Sequence, residues 1–280
     1  MPLPLLVAID LDGTLLRSDR TVSGRSRAAI AAVRAAGAEV VVATARSPRS
    51  ARELAADAGI GGLAICANGA TVYDLDADRL VAHTSLPAAT AHRLVVALRE
   101  RFPGIVFGWE HELRFGSEPA YEALRDPEWW PRPEGSYPPC DPLEWTLPMT
   151  KLLARLPAAD LEHVLAVASE VAGSDASTTL AGEAFVELAA PGVAKEAALE
   201  RIASAMGISA DQVIAFGDHV TDAGMLIWAG RGVAVANAHP AALAAADEVT
   251  ATNDEDGVAL VLERLVATEG YSSRSASVGA

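Results

Sequence analysis

Short, continuous apolar runs recur along this chain, and they constrain its fold more than any other feature. Each run has four or five residues without polar alternation, which is typical of strands buried on both faces of a parallel sheet. Helical patterns lie between the runs, and one carries clear end signals, a capping Ser23 and a terminating Gly37. The sequence therefore predicts alternating strands and helices. The runs are Leu5–Ile9, Val40–Ala43, Leu63–Ala67, Val213–Phe216 and Val233–Ala236.

This alternation occupies both ends of the 280-residue chain but not its middle. It predicts an α/β fold whose core is doubly wound, Rossmann-like and built on a parallel sheet, formed by residues 1–78 and 191–268. Residues 79–190 are predicted to form an inserted α+β domain. Two domains fit a length of roughly 100–200 residues per domain. The Ser-rich, aperiodic residues 269–280 are expected to be disordered.

Within the insert, the pattern predicts two helices, over Ala88–Arg101 and Ala159–Val171. The proline-rich residues 126–148 are predicted to form a long loop, because proline disrupts both helices and central strands. Short strands are predicted near Ile105–Trp109, Glu112–Phe115, Lys151–Leu156 and Phe185–Ala189.

The excess of acidic over basic residues limits the partners that the protein can bind. Lys and Arg number 22 against 37 Asp and Glu, a net charge of −15, and no dense basic cluster occurs. Nucleic-acid and membrane-surface binding are therefore not expected. The two cysteines lie far apart, which favours a reducing cytoplasmic location, and Asp10 and Asp12 interrupt the N-terminal apolar run, so no signal peptide or membrane span is predicted.

Two acidic pairs follow two of the predicted strands. Asp10 and Asp12, spaced i and i+2 on extended chain, project together from the end of the first run. Asp218 and Asp222 follow the fourth run. If the two strands are neighbours, four carboxylates converge, and Mg²⁺ would stabilise them. The alternative for either pair alone is an acidic turn.

Candidate site residues with a hydroxyl group or a positive charge lie at the ends of other predicted strands and helices. Thr44 ends the second run beside a predicted helix start at Ser47, where backbone N–H groups can bind an anion, and Arg46 lies between them. Lys195 stands near the start of a later helix, against the helix dipole, which suggests an anionic neighbour, although a solvated lysine is the plainer interpretation.

In order and context, these motifs resemble the haloacid dehalogenase superfamily. Asp-x-Asp-Gly-Thr at residues 10–14, the strand-end Thr44, the helical Lys195 and Gly-Asp-x-x-x-Asp at residues 217–222 all match. The large insert resembles that of the Cof-type phosphatases with a type-two cap. The similarity extends to about Leu265.

The resemblance implies a Mg²⁺-dependent phosphatase that acts on a small phosphorylated metabolite such as a sugar phosphate. Asp10 would be the nucleophile that forms an aspartyl-phosphate, and Asp12 would be the general acid and base, with its backbone carbonyl on Mg²⁺. Thr44 and Lys195 would hold the phosphoryl oxygens. Asp218 would ligate Mg²⁺, and Asp222 would ligate it or orient a bound water.

Further candidates for substrate binding are Ala45, Arg46, Asn68, Gly69 and Asn237. Asn68-Gly69 could equally be a favoured turn, and Asn237 a loop cap.

The sequence departs from the family pattern in two places. Thr221 stands where an Asn usually precedes the last aspartate, which predicts weaker Mg²⁺ binding, and Ala45 replaces a common Gly.

Two other functions stay open at this stage. The same phosphoenzyme could pass its phosphoryl group to a second sugar hydroxyl, which would make a phosphomutase or phosphotransferase. A non-enzymatic phospho-acceptor module is the other class, although such modules lack an insert. A monomer and a homodimer are both compatible with the sequence.

Overall fold

In the computed structural model, which describes residues 4–125, 132–181 and 185–277, the chain divides into two compact units. Unit 1 comprises residues 1–81 and 194–280, and unit 2 comprises residues 82–193. The sequence predicted the corresponding boundaries after residues 78 and 190. Unit 1 is the α/β core, and unit 2 is the inserted segment.

The strands, numbered in chain order, are short. They are β1 Leu6–Ile9, β2 Glu39–Ala43, β3 Leu63–Cys66, β4 Thr71–Asp74, β5 Arg79–His83, β6 Val106–His111, β7 Arg114–Ser117, β8 Lys151–Arg155, β9 Ser177–Ala181, β10 Phe185–Ala189, β11 Val213–Gly217, β12 Arg231–Ala234 and β13 Glu248–Val249.

The helices are numbered in the same way. They are α1 Gly24–Ala35, α2 Pro48–Ala58, α3 Ala88–Arg101, α4 Pro119–Glu122, α5 Leu161–Ala172, α6 Lys195–Met206, α7 Ala223–Trp228, α8 Pro240–Ala245 and α9 Gly257–Ser277.

The larger sheet has the strand order β13-β12-β11-β1-β2-β3-β4-β5. Strand β1 lies near its middle and pairs in parallel with both β11 and β2, so that Ile9 lies opposite Phe216 and Val42. All four residues of β1 are buried, as a continuous apolar run in a parallel sheet requires. The predicted α/β class with a parallel-sheet core is confirmed, and β4 adds an antiparallel strand at the β3 edge.

Unit 2 contains an antiparallel sheet of order β7-β6-β8-β10-β9. Alternate side chains of its strands, among them Phe107 and Trp109, share a buried cluster with Leu94 of α3 and Val164 of α5. Trp109 is fully buried there. The predicted helix Ala88–Arg101 and strand Phe185–Ala189 have the observed bounds.

The structure departs from the sequence expectations at the C-terminal segment. Helix α9 runs to Ser277, past residue 269, where disorder was predicted; the segment lacks proline after Gly270, so nothing in its backbone chemistry stops a helix. Residues 126–131 of the predicted loop lie outside the described residues, and residues 132–148 contain only the helical turn Pro142–Glu144. In the described part of the chain, no helix combines the length and apolarity needed to cross a membrane.

Candidate active site

The two acidic motifs meet because their strands are neighbours. Asp10 follows β1, Asp218 follows β11, and the backbone N–H of Asp10 continues the ladder by donating to the Phe216 carbonyl at 3.0 Å. The carboxyl ends of parallel strands lie at one edge of the sheet, where such folds bind ligands. Both motifs therefore lie at this edge of unit 1.

Three carboxylates converge there. Asp10, Asp218 and Asp222 each offer an oxygen, and these oxygens lie within 4.8 Å of one another. Asp10 is 4% exposed and Asp222 is fully buried. Hard oxygen donors at this spacing fit a small divalent cation such as Mg²⁺, which neutralises charges that otherwise repel.

Lys195 lies among these carboxylates. Its Nζ donates to Asp10 Oδ1 at 2.7 Å and to Asp222 Oδ1 at 2.6 Å, and its side chain is 2% exposed. Burial favours the neutral amine, but the charges of both carboxylates outweigh it and raise the pKa of Lys195. Lys195 is thus an ion-paired, buried ammonium and not a solvated charge.

The start of α6 places this lysine. Gly69 has a φ of +99°, and a Cβ there would lie 2.2 Å from the Ala194 carbonyl oxygen. A side chain at this position would push the helix start away. The close approach explains a glycine at residue 69, which the sequence alone offered as a substrate-binding candidate or a turn residue.

Burial raises the pKa of two of the three carboxylates, Asp10 and Asp218. Burial raises the pKa of Asp10 well above its usual value; the Lys195 charge opposes this, whereas the charges of Asp222 and Asp218 add to it. Burial also raises the pKa of Asp218, against a hydrogen bond from Thr14. Without a cation, Asp10 and Asp218 therefore hold protons more tightly than free carboxylates do.

Asp222 is fixed by contacts to both of its oxygens. Oδ1 accepts from Lys195, and Oδ2 accepts from the backbone N–H groups of Asp218 and His219 at 3.0 and 2.9 Å. A Cβ at Gly217 would lie 2.5 Å from the Cβ of Asp222, so only glycine leaves room for this turn. These contacts suit a residue that holds the Asp218 loop and Lys195 in place.

Thr14 is a site residue that the sequence did not single out. Its hydroxyl donates to Asp218 Oδ1 at 2.8 Å and joins the first motif to the last. The neighbouring Gly13 has a φ of +76°, and a Cβ there would lie 2.3 Å from Asp218 Oδ2. The only sequence signal was the position of both residues within Asp-x-Asp-Gly-Thr.

The prediction that four carboxylates converge is wrong for the side chain of Asp12. Its Oδ2 and Oδ1 accept from Nε and Nη2 of Arg46, both at 2.6 Å, and the carboxylate is half exposed. The i, i+2 argument assumed that the strand continues through residue 12, but the strand ends at Ile9 and an irregular turn, Leu11–Leu15, follows Asp10. The guanidinium forms a two-bond ion pair with the carboxylate outside the cluster.

Thr44 and Asn68 lie at the end of the next strands along the sheet. Thr44 is fully buried, its hydroxyl accepts from the Arg46 N–H at 3.1 Å, and its carbonyl accepts from the Asn68 N–H at 3.1 Å. Ala45 follows Thr44 directly, and Ser47 precedes α2 without a side-chain cap bond. The structure thus brings Thr44, Arg46 and Asn68 together, and their contact with substrate stays a prediction.

Two other predicted positions have contacts of a different kind. The Asn237 amide donates to the Gly13 carbonyl at 2.8 Å, so the structure ties this side chain to the chain's own backbone. The Thr221 hydroxyl lies 3.3 Å from His219 Nδ1.

Comparison with known proteins gives a consistent result. The sequence profile of the haloacid dehalogenase-like hydrolases matches residues 7–262. The chain is 29% identical over 267 residues to the 5-amino-6-(5-phospho-D-ribitylamino)uracil phosphatase YcsE of Bacillus subtilis, covering 93% of this chain and 95% of that protein. It is 27% identical over 271 residues to the pyridoxal phosphate phosphatase YbhA of Escherichia coli, covering 91% and 96%.

Solved structures agree. A haloacid dehalogenase-like hydrolase from Bacteroides thetaiotaomicron superimposes with a TM-score of 0.77 at 27% identity, covering 93% of this chain and 98% of that one. The matched region includes Asp10, Lys195 and Asp222, and the two relatives named above are phosphatases. This chain therefore belongs to the haloacid dehalogenase-like hydrolases and, within them, to the Cof-type phosphatase group.

Proposed function

We propose that this protein is a Mg²⁺-dependent phosphatase that hydrolyses phosphomonoesters of small metabolites through an aspartyl-phosphate on Asp10. The observation that carries the proposal is the buried Asp10 carboxylate, bonded to Lys195 and grouped with Asp218 and Asp222 at the carboxyl edge of a parallel sheet. Its named relatives are phosphatases of phosphorylated small molecules.

The reaction needs two displacements at phosphorus. An oxygen of Asp10 attacks phosphorus, the bond from phosphorus to the ester oxygen breaks, and Asp12 in its acid form protonates the departing alkoxide. Asp12, now a carboxylate, takes a proton from water as that water attacks phosphorus, and the Asp10–phosphorus bond breaks to release phosphate. The Arg46 ion pair at 2.6 Å keeps the Asp12 carboxylate in a defined place.

The negative charge on the oxygens of the transferred phosphoryl group needs hydrogen-bond donors to stabilise it. We assign this task to the Thr44 hydroxyl, the Lys195 ammonium and the backbone at Ala45 and Arg46, with Asn68 and Gly69 as further substrate contacts. Bound Mg²⁺ would offset phosphoryl charge, and Asp10, Asp218, the Asp12 carbonyl and either Asp222 or a water that it orients are the groups that would hold the ion.

We assign substrate selection to the inserted residues 79–190. The insert has an antiparallel sheet, whereas the unit that carries Asp10 has a largely parallel sheet. We place the protein in the cytoplasm, because its two cysteines are separate and free. We expect a small anionic phosphomonoester as substrate and neither nucleic acid nor membrane as a partner, given the net charge of −15.

The test is turnover of p-nitrophenyl phosphate and of a panel of phosphorylated metabolites that includes pyridoxal phosphate and 5-amino-6-(5-phospho-D-ribitylamino)uracil. We expect release of inorganic phosphate with Mg²⁺ and almost none with chelator. Recovery of ³²P in an isomeric sugar phosphate would make the protein a phosphomutase instead. A stable phosphoprotein without turnover would make it a phospho-acceptor module.

Asp10→Asn supplies the decisive variant. Loss of a nucleophile lowers kcat by several orders of magnitude in other enzymes, and we expect the same here. Asp211→Asn is the matched control, since Asp211 is an exposed aspartate of unit 1 whose side chain contacts Ser209. Equal activity of the two variants would refute the role of Asp10.

A further inference from the structure

The turn that carries Asp12 is held by few bonds of its own. Within Leu11–Leu15, Asp12 has extended dihedral angles and Gly13 is left-handed, so the segment is not a regular helix. Its internal bonds run from the Leu15 N–H to the Asp10 carbonyl and from the Leu16 N–H to the Leu11 carbonyl. The carbonyls of Gly13 and Leu16 accept from side chains distant in sequence.

Two asparagines supply those donors. Asn237 Nδ2 donates to the Gly13 carbonyl at 2.8 Å, and Asn253 Nδ2 donates to the Leu16 carbonyl at 2.8 Å. The pair is linked, because the Asn253 N–H donates to Asn237 Oδ1 at 2.9 Å. Since a backbone N–H can only donate, this bond fixes the orientation of the Asn237 amide and directs its nitrogen at Gly13.

The two asparagine contacts lie beside a cavity. Its volume is about 430 Å³, and it is lined among others by Asp12, Gly13, Asn237 and Asn253. Asn253 itself is 8% exposed, and loss of a buried hydrogen-bond donor leaves the Leu16 carbonyl unsatisfied.

We propose that Asn237 and Asn253 are positioning residues for Asp12. By fixing the backbone on both sides of Thr14 and Leu15, they hold the Asp12 side chain where its acid form can protonate the departing alkoxide. The inference rests on the proposed function, in which Asp12 is the general acid.

The test uses Asn237→Asp and Asn253→Ala with two substrate types. Asn237→Asp keeps the acceptor for the Asn253 N–H but loses the donor to Gly13, and Asn253→Ala loses the donor to Leu16. An alkyl phosphate needs a proton on its leaving oxygen, whereas p-nitrophenolate leaves readily without one. We expect kcat/KM, which reports on formation of the phosphoenzyme, to fall about 10- to 100-fold on alkyl phosphates and to change much less on p-nitrophenyl phosphate.

Thr252→Ala is the matched control. Thr252 lies in the same loop as Asn253, but its hydroxyl contacts Glu255 and not the Asp12 turn. Its ratio of alkyl to aryl turnover is expected to equal that of the unmodified protein. Equal losses on both substrates in the asparagine variants, or no loss on either, would overturn the proposal, because a purely structural role does not distinguish leaving groups.

Hydrogen exchange separates this inference from the proposed function. Amides of residues 11–18 should exchange faster in both asparagine variants than in Thr252→Ala, with or without substrate. If the unmodified protein hydrolyses no phosphomonoester, the proposed function fails, and unchanged exchange in the variants would independently refute the positioning role.

Discussion

Among single residues, Lys195 supplies the positive charge that offsets the buried carboxylates of the site. Its ammonium is buried between Asp10 and Asp222, with Asp218 close by. Removal of one partner from a buried ion pair leaves charge without compensation. The same chain contains a second buried pair, Lys151 with Glu187 in unit 2, which serves as an internal comparison.

Lys195→Met should lower the free energy of unfolding of the metal-free protein by about 3–5 kcal/mol, as loss of a buried partner does elsewhere. Mg²⁺ should restore part of this loss, because the ion replaces the missing positive charge. Urea unfolding with and without Mg²⁺ measures both effects. Lys151→Met is the control, expected to be destabilised without rescue by Mg²⁺, and equal rescue of both variants would contradict the account.

Thr221 tests a departure from the family pattern. An asparagine there would offer an amide that the shorter threonine hydroxyl lacks, next to Asp222. We expect Thr221→Asn to tighten Mg²⁺ binding by up to about 10-fold, the lower end of effects outside the ligand sphere. Calorimetric titration measures it, with Thr221→Ala as control; unchanged affinity in Thr221→Asn would show that the position does not affect the metal.

The sequence could identify site residues that are recognisable by their residue type and by their position directly after a predicted strand. Asp10, Asp218 and Asp222 were predicted to converge because each follows a recognisable strand, and the structure brings them together. Thr14, Asn253 and the Asp12–Arg46 pair were not predicted, because their contacts join segments distant in sequence and depend on the path of a turn that no periodic pattern marks.

At the scale of elements, the helix start that presents Lys195 depends on a glycine in another segment. Gly69 and Gly59 both have positive φ, at +99° and +73°, but only Gly69 abuts the Ala194 backbone. A Cβ at Gly59 meets nothing within 4 Å. A substitution at Gly59 therefore tests backbone strain alone, whereas one at Gly69 tests the same strain together with steric displacement of α6.

Gly59→Ala should cost about 1–2 kcal/mol through its left-handed backbone alone. Gly69→Ala should cost about 1–3 kcal/mol more, because the new methyl group would overlap the Ala194 carbonyl. It should also lower kcat, since α6 and Lys195 move. Thermal unfolding and steady-state kinetics measure the two effects, and equal stability and activity of the two variants would contradict this role of Gly69.

The elements that the sequence predicted well have strong periodicity or defined caps. Helix α3 and strand β10 have the predicted bounds, and the apolar runs became β1, β2, β3, β11 and β12 within about two residues. Strands β4, β5, β9 and β13 were missed. They are short and lie at or near sheet edges, where tertiary pairing decides the conformation more than local preference does.

At the scale of the whole molecule, metal binding should be coupled to the stability of unit 1. Burial raises the pKa of Asp10 and Asp218, so their protonation favours the metal-free folded state below the unfolded pKa, and this contribution is lost as pH rises through the raised pKa. Mg²⁺ binds the deprotonated carboxylates. Its stabilising effect should therefore grow as the pH rises from mildly acidic to neutral.

Calorimetric unfolding at several pH values measures this coupling. At a Mg²⁺ concentration of about 100 times Kd, we expect a gain of about 2.7 kcal/mol near neutral pH and a smaller gain in acid. Asp218→Asn should abolish most of the gain. A Mg²⁺ effect independent of pH, or one retained in Asp218→Asn, would show that the ion binds elsewhere.

The most direct test of the central claim is a crystal structure of the protein with Mg²⁺ and beryllium fluoride, which mimics a phosphoryl group on a carboxylate. The account predicts the fluoride adduct on Asp10, with Mg²⁺ in contact with Asp10 and Asp218 and the adduct within reach of Thr44 and Lys195. An adduct on another residue, or a Mg²⁺ ion remote from these carboxylates, would contradict it.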